Sequence, residues 1–281
     1  MHPQPDELQR IIVGALTEDI GQGDITSAAI IGNDATASMR FVAREKLVVA
    51  GASLMGMVFT SLLDGMQYTP QAEEGAQLEA GAVLATLSGN AQAILAGERV
   101  ALNLLQRMCG IATLTRAYVD AVAGTDTTIL DTRKTAPGLR ALDKYAVLCG
   151  GGANHRMRLD DGVMIKDNHI AVAGSIAQAV AQARQATPML TRIEVECDTL
   201  AQVEEALNTE VDVILLDNMS LDDMRQAVSM AKGACKMEAS GNVTLERVRA
   251  IAETGVDYIS IGRLTHSVKA ADIGLDMEPA A

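Results

Sequence analysis

From residue 127 onward one rhythm repeats: a short apolar run ends near a polar residue, and a stretch with helical spacing follows. The runs end near Asp131, Ile165, Glu196, Leu216, Glu238 and Ile261, with segments such as SIAQAVAQARQA and LDDMRQAVSMAK between them. Repeats of about 20–35 residues with this alternation read as βα units, because parallel strands need such crossovers to pair. The pattern commits this part of the chain to a parallel sheet or barrel with helices outside it. Arg133, Lys134, Lys166, Glu196, Asp217, Ser240 and Gly262 gather at or just past the C-terminal ends of those runs. In an α/β barrel that end carries the active site.

Charge points to the same place. Residues 131–169 carry seven of the 23 basic residues (Arg133, Lys134, Arg140, Lys144, Arg156, Arg158, Lys166) and two of the four histidines, His155 and His169. Five acids there leave the segment at +2, within a chain whose net charge is −13. Such a basic island in an acidic protein suggests a focused site for an anionic ligand. Its cations follow apolar strands or the glycines Gly150–Gly152, which let backbone approach a ligand closely, rather than lying along a polar helix face.

The first hundred residues have a different rhythm. Residues 7–18 place Leu8, Ile11, Ile12, Ala15 and Leu16 at helical spacing. The following Glu18–Ser27 stretch, EDIGQGDITS, reads as a turn rather than a phosphate loop. Short strands are expected over 36–49, a helix over 51–63, glycine-broken strands over 66–95, and a helical period over 96–124. An antiparallel sheet with helices therefore occupies residues 1–108, and residues 109–281 form the βα part.

Composition narrows the partners. The acidic balance and the absence of interleaved aromatics argue against nucleic acid. No apolar run approaches the ~18–20 residues of a membrane helix, and MHPQPDELQR is no signal peptide, so no membrane partner and a cytoplasmic location are expected. Cys109, Cys149, Cys197 and Cys235 lack metal or disulfide spacing and read as buried thiols.

Two acids end apolar runs, Glu196 in RIEVE and Asp217 in VDVILLD. Three uses fit them: Mg²⁺ and ribose hydroxyl contacts, a glycosidase-like carboxylate pair, or neutralisation by nearby cations. The cationic island favours the first. Ser240-Gly241 and Gly262 lie in small-residue turns after strands, which hold phosphates in some barrels and are ordinary βα turns in others.

DTRKTAPGLRALDKYAVLCGGGANHR followed by IKDNH closely resembles the signature of the quinolinate phosphoribosyltransferase family, the carboxylating nicotinate-nucleotide pyrophosphorylases of NAD synthesis. EDIGQGDIT and GERVALNLLQRMCGIATLTRAYVDAV resemble the family too, so the likeness spans nearly the whole chain. It implies an α/β fold in which an N-terminal α/β sandwich packs on an open seven-stranded α/β barrel, the type II phosphoribosyltransferase architecture, with the last residues returning to the N-terminal domain. Six of those strands are countable here, and the seventh is expected near the glycine run. The implied reaction joins quinolinate to phosphoribosyl pyrophosphate, giving nicotinate mononucleotide, pyrophosphate and CO₂.

The resemblance also implies roles. Arg133, His155, Arg156 and Lys166 clamp carboxylates, and Lys134 lies between them and the sugar donor. Arg99 reaches in from a neighbouring subunit of a homodimer or higher homo-oligomer with shared active sites. Glu196 and Asp217 serve ribose and Mg²⁺, and Ser240, Gly241 and Gly262 hold the 5′-phosphate. Lys134, Lys166, Glu196 and Asp217 are the expected catalytic set. The chain departs from the usual pattern at Arg158, Asn242 and Arg263, where small residues are common; Arg158 would crowd the pocket or add a cation. Weaker alternatives are a same-fold relative associated with molybdenum transport, a barrel aldolase using Lys166 as a Schiff base, and a non-catalytic anion-binding protein.

Overall fold

The structure, a computed structural model, describes residues 2–278. It divides into two compact units. One takes the chain up to Arg116, Thr135–Gly151 and the stretch from Leu264; the other takes Ala117–Lys134 and Gly152–Arg263.

The first unit opens with α1 (Pro5–Ile20), which has Pro5, Asp6 and Glu7 in its first turn, residues that suit the exposed N–H groups there. Its Leu8, Ile12 and Leu16 form the buried stripe. The EDIGQGDITS stretch does more than turn. Asp24 accepts hydrogen bonds from the Thr26 and Ser27 amides, both 3.0 Å, and so caps α2 (Ile25–Ile30).

Strands β1 (Thr36–Ala43), β2 (Leu47–Val48), β3 (Gln67–Pro70), β4 (Gln77–Leu78) and β5 (Val83–Asn90) follow, with α3 (Gly56–Thr60) after β2. The helix expected over 51–63 is shorter because the Glu74 carboxylate accepts from the Gly51 and Ser53 amides and holds the preceding residues in a turn. An antiparallel sheet runs β12–β1–β5–β3, where β12 (Ile273–Met277) is the last described strand. Phe41, Phe59 and Tyr68 meet in its core with ring centroids 6.0–6.3 Å apart, so both phenylalanines of the chain serve this unit.

Helix α4 (Ala91–Ala121) comes next, followed by β6 (Thr128–Leu130) and α5 (Arg140–Cys149). Helix α5 belongs to the first unit, where the fully buried Asp143 is held by a two-pronged bond from Arg107, 2.8 Å on each arm.

The second unit continues with β7 (Val163–Ile165), α6 (Asp167–Ala173), α7 (Ile176–Ala186), β8 (Ile193–Cys197), α8 (Leu200–Leu207), β9 (Val213–Asp217), α9 (Leu221–Ala231), β10 (Lys236–Ser240), α10 (Leu245–Ala252), β11 (Tyr258–Ser260) and α11 (Arg263–His266). Side-chain caps start several of its helices: Ser175 for α7, Thr199 for α8 and Ser220 for α9. Among the described residues the sheet has six parallel strands in the order β6–β11–β10–β9–β8–β7.

The expected seventh strand is reduced to one parallel bridge between Leu130 and Ala153, immediately after the glycine run. It goes no further because the Asp131 carboxylate takes the His155 amide and the Asn154 side chain, which turns the chain away. Counting Ala153, the strands follow chain order around a ring with one break, between Ala153 and β7. That is an open barrel. No helix among the described residues is long and apolar enough to cross a membrane.

Candidate active site

A cavity of about 380 Å³ opens at the C-terminal ends of the barrel strands. Every strand contributes to it: Thr132, Arg133 and Lys134 beyond β6, His155 and Arg156 beyond the bridge, Met164 from β7 with Lys166 just beyond it, and Glu196 from β8. Leu215 and Asp217 come from β9, Glu238 and Ser240 from β10, and Ser260 from β11. The register explains the company, since Glu196, Leu215 and Glu238 are successive partners across three strands and Asp217 pairs with Ser240. Residues level with one another in a parallel sheet face the same side. Eight residues picked from sequence thus share one cavity: Arg133, Lys134, His155, Arg156, Lys166, Glu196, Asp217 and Ser240. Arg99, exposed on α4, and Gly241 and Gly262 are not among its lining residues.

Lys166 pairs with Glu196 across the mouth. This realises the neutralised-acid reading for Glu196 and engages the Lys166 amine in an ion pair rather than leaving it open to a carbonyl carbon as a Schiff-base nucleophile would need. His169 of the IKDNH motif accepts the Lys166 amide hydrogen through Nδ1, 3.0 Å, fixing the start of α6. Arg156 donates to the Gly162 carbonyl at 2.8 Å. Burial, and then the neighbouring Arg133, hold the Arg156 guanidinium below its ordinary range. Two like charges kept this close favour an anion between them.

Asp131 joins the two halves of the motif. It is fully buried and accepts from the Asn154 side chain at 2.6 Å and from the His155 amide at 2.9 Å. Sequence reasoning treated it as a strand end only.

Sequence reasoning also missed a buried cluster at the cavity floor. His155 Nε2 lies 3.1 Å from Glu194 and 3.5 Å from Glu238, both acids almost wholly buried. Alternation in RIEVE was the available signal, because Glu194 shares its face with Glu196. Burial alone would lower the His155 pKa, but the two carboxylates outweigh it and push it up to about 10. The Arg156 amide, 2.8 Å from Nδ1, pulls the other way by favouring the neutral tautomer. A single bond between sequence neighbours is weaker than two buried carboxylates, so the upward shift prevails. Burial raises the Glu194 carboxyl as well.

His155, Glu194 and Glu238 could also hold a metal ion. Their hydrogen-bond distances already account for the cluster without one. For Mg²⁺, Glu196 and Asp217 offer oxygen donors on one wall, and Mg²⁺ commonly takes one or two carboxylates with water and substrate phosphates. The residues present fit that group.

Arg158 neither crowds the pocket nor adds a cation. It is exposed and pairs with Asp160 at 3.2 Å. Cys149 is not activated, since burial and then Glu74 push its thiol up to about 12. A larger cavity of about 520 Å³ opens at the opposite end of the barrel, where Lys236 pairs with Asp257 and Asp212 with Arg184. Lys236, Asp257 and Asp212 are thus engaged in ion pairs there.

Comparison with known proteins shows the family. Residues 111–276 match the family described as quinolinate phosphoribosyl transferase, C-terminal domain, and residues 24–109 match its N-terminal domain. The chain belongs to the quinolinate phosphoribosyltransferase family. A Bacillus subtilis family member named probable nicotinate-nucleotide pyrophosphorylase (carboxylating) is 46% identical over 271 residues, covering 96% of this chain and 93% of that one. A nicotinate-nucleotide pyrophosphorylase structure from Ehrlichia chaffeensis is 44% identical with a TM-score of 0.93, covering 99% and 100%. NadC from Streptococcus pyogenes is 39% identical with a TM-score of 0.94, again covering 99% and 100%. Quinolinate phosphoribosyltransferases therefore share the fold of both units with this chain.

Proposed function

We propose that this chain is a carboxylating nicotinate-nucleotide pyrophosphorylase: it transfers the phosphoribosyl group of 5-phosphoribosyl-1-pyrophosphate to quinolinate in de novo NAD synthesis. The observation that carries this reading is the gathering of Arg133, Lys134, Arg156 and Lys166 around one cavity in a protein of net charge −13. Quinolinate is a dianion and the donor a polyanion, and both need fixed cations to leave water.

Arg133 and Arg156 bind the quinolinate carboxylates, because a guanidinium fork matches both oxygens. His155 is held in place at the cavity floor by its two glutamates, so its ring can serve as a fixed hydrogen-bonding wall. The ring nitrogen attacks C1 of the ribose, and the C1–O bond breaks with its electron pair leaving on pyrophosphate. Glu196 and Asp217 favour the positive charge that develops on the ribose. Loss of CO₂ from C2 leaves an electron pair beside the cationic ring nitrogen; Lys166 and the arginines stabilise it until a proton from water forms the C2–H bond of the product. Lys134, Lys166, Glu196 and Asp217 form the catalytic set, while Ser240, Gly241 and Gly262 serve the 5′-phosphate. Glu196 and Asp217 would hold Mg²⁺ directly or through water, and the ion would supply charge neutralisation for the pyrophosphate.

The enzyme works as a homodimer or higher homo-oligomer in the cytoplasm, with Arg99 completing a neighbour's site; the sequence match and the exposure of Arg99 support this. Mixing Arg99→Ala and Lys166→Ala protomers restores part of the activity if sites are shared. No recovery in verified mixed oligomers refutes sharing.

The deciding assay is quinolinate-dependent release of CO₂ and pyrophosphate from phosphoribosyl pyrophosphate, with Mg²⁺ or with chelator, using nicotinate and nicotinamide as control acceptors. Turnover with quinolinate alone, abolished by chelator, is the expected result. Folded protein without turnover overturns the reading.

A further inference from the structure

Position 242 joins a short relay that ends on the Asp217 carboxylate. Asn242 donates through its side-chain amide to Asn218 Oδ1 at 2.8 Å, and Asn218 Nδ2 donates to Asp217 Oδ2 at 2.8 Å. The two asparagines lie on different loops, one after β9 and one after β10, and both have left-handed backbone, φ 55° at Asn218 and φ 48° at Asn242. Asparagine tolerates that conformation better than most residues, yet it still costs stability compared with glycine.

The backbone is shaped around the relay. The Asn218 amide donates to the Ser240 carbonyl at 3.0 Å, and Gly241, φ 87°, leaves room for the Asn218 side chain. A Cβ at 241 would stand 2.2 Å from Asn218 Oδ1. Arg247 reaches the Asn242 carbonyl at 3.3 Å from α10, and Ser260 donates to Ser240 at 3.1 Å. Three consecutive strand ends are thereby tied together around one carboxylate. The strain is spent on aiming a side chain that lines the cavity.

We propose that Asn242 is a positioning residue for the sugar donor: acting through Asn218, it fixes the rotamer of Asp217 so that the other carboxylate oxygen faces the cavity. The inference rests on the phosphoribosyl transfer proposed above. It predicts that the relay governs affinity for phosphoribosyl pyrophosphate and leaves quinolinate affinity unchanged.

The test is Asn242→Gly, which keeps the left-handed backbone at no steric cost and removes only the hydrogen bond. One hydrogen bond lost corresponds to a rise of about three- to tenfold in the Kd and KM for phosphoribosyl pyrophosphate. The KM for quinolinate stays at its wild-type value, and the melting temperature changes little, because glycine relieves the left-handed backbone as the hydrogen bond is lost. Because both asparagines act in series, the Asn218→Gly/Asn242→Gly double variant is no weaker than Asn218→Gly alone.

Donor affinity is also read by calorimetry without quinolinate, so the result does not depend on turnover. An unchanged donor Kd in Asn242→Gly overturns the proposal, as does an equal loss for quinolinate or additive effects in the double variant. Wild-type protein that binds neither substrate would instead refute the functional assignment itself.

Discussion

Glu194 and Glu196 stand two residues apart on β8, on the same face, and meet opposite fates. Glu196 is at the mouth, where Lys166 neutralises it and solvent reaches the pair. Glu194 lies about 6.6 Å deeper along the strand, 6% exposed, against His155 and a second buried acid, Glu238. A carboxylate taken out of water costs several kcal/mol unless something offsets it. At the mouth a cation offsets the charge and leaves it available to a substrate. On the floor, burial raises the acid towards its neutral form and the imidazole is driven towards its charged one. The floor acids thus turn a histidine into a fixed cation, while the mouth acid keeps a lysine in place.

Removing the mouth cation should have the largest effect. Lys166→Met leaves Glu196 uncompensated beside an anionic substrate, and the loss of one such electrostatic contact lowers kcat/KM by about 10²–10³-fold. Both partners are partly exposed, so the melting temperature should hardly move. Pyrophosphate release read beside thermal unfolding separates the two. A variant within tenfold of wild type would show that the pair is only a surface contact.

Glu196→Gln comes next. It removes the charge and keeps the shape, so kcat should fall by about 10–100-fold while the quinolinate KM stays near its wild-type value. A change confined to the quinolinate KM would move Glu196 from the ribose to the acceptor.

The floor should show itself through pH. His155 titrates near 6.5 when unfolded and near 10 when folded, so its stabilisation is full below about pH 6.5 and is lost as pH rises towards 10. Glu194 is shifted in the same direction, and its protonated form likewise loses its advantage as pH rises. The melting temperature should therefore decline from pH 6.5 to 10, and His155→Gln should flatten that decline. An equal slope in the variant would mean that the imidazole is neutral throughout, with Arg156 N–H deciding its tautomer.

Much of this contrast was visible in the chain and part was not. The strand ends at Leu130, Ile165, Asp217 and Ser240 follow from apolar runs closed by polar residues, and register alone then gathers Lys166, Glu196, Asp217 and Ser240. The floor cluster was hidden because an acid inside an apolar run has no visible partner in sequence; His155 approaches Glu194 only through the fold. Asp131 was hidden for the same reason, and it is what shortens the seventh strand to a bridge. Arg158 looked like a pocket cation, yet Asp160, two residues on, offers a nearer partner in solvent. Strand periodicity is local and therefore readable, whereas buried polar partnerships depend on contacts between strands distant along the chain.

The smallest expected effect is the sharpest test. Glutamine is an isostere of the protonated acid, so Glu194→Gln should keep one hydrogen-bonding contact to His155 and change stability by no more than about 1 kcal/mol. Its kcat/KM should stay within about threefold of wild type, since Glu194 does not line the mouth cavity. Glu194→Ala, by contrast, removes the nearer of the two carboxylates on His155 and should cost about 1–3 kcal/mol in denaturant unfolding. One conservative change applied two residues apart thus separates a charge presented to substrate from a hydrogen-bonding group in the floor. If Glu194→Gln loses as much activity as Glu196→Gln, the deeper acid also works as a charge, and depth along β8 does not divide their roles.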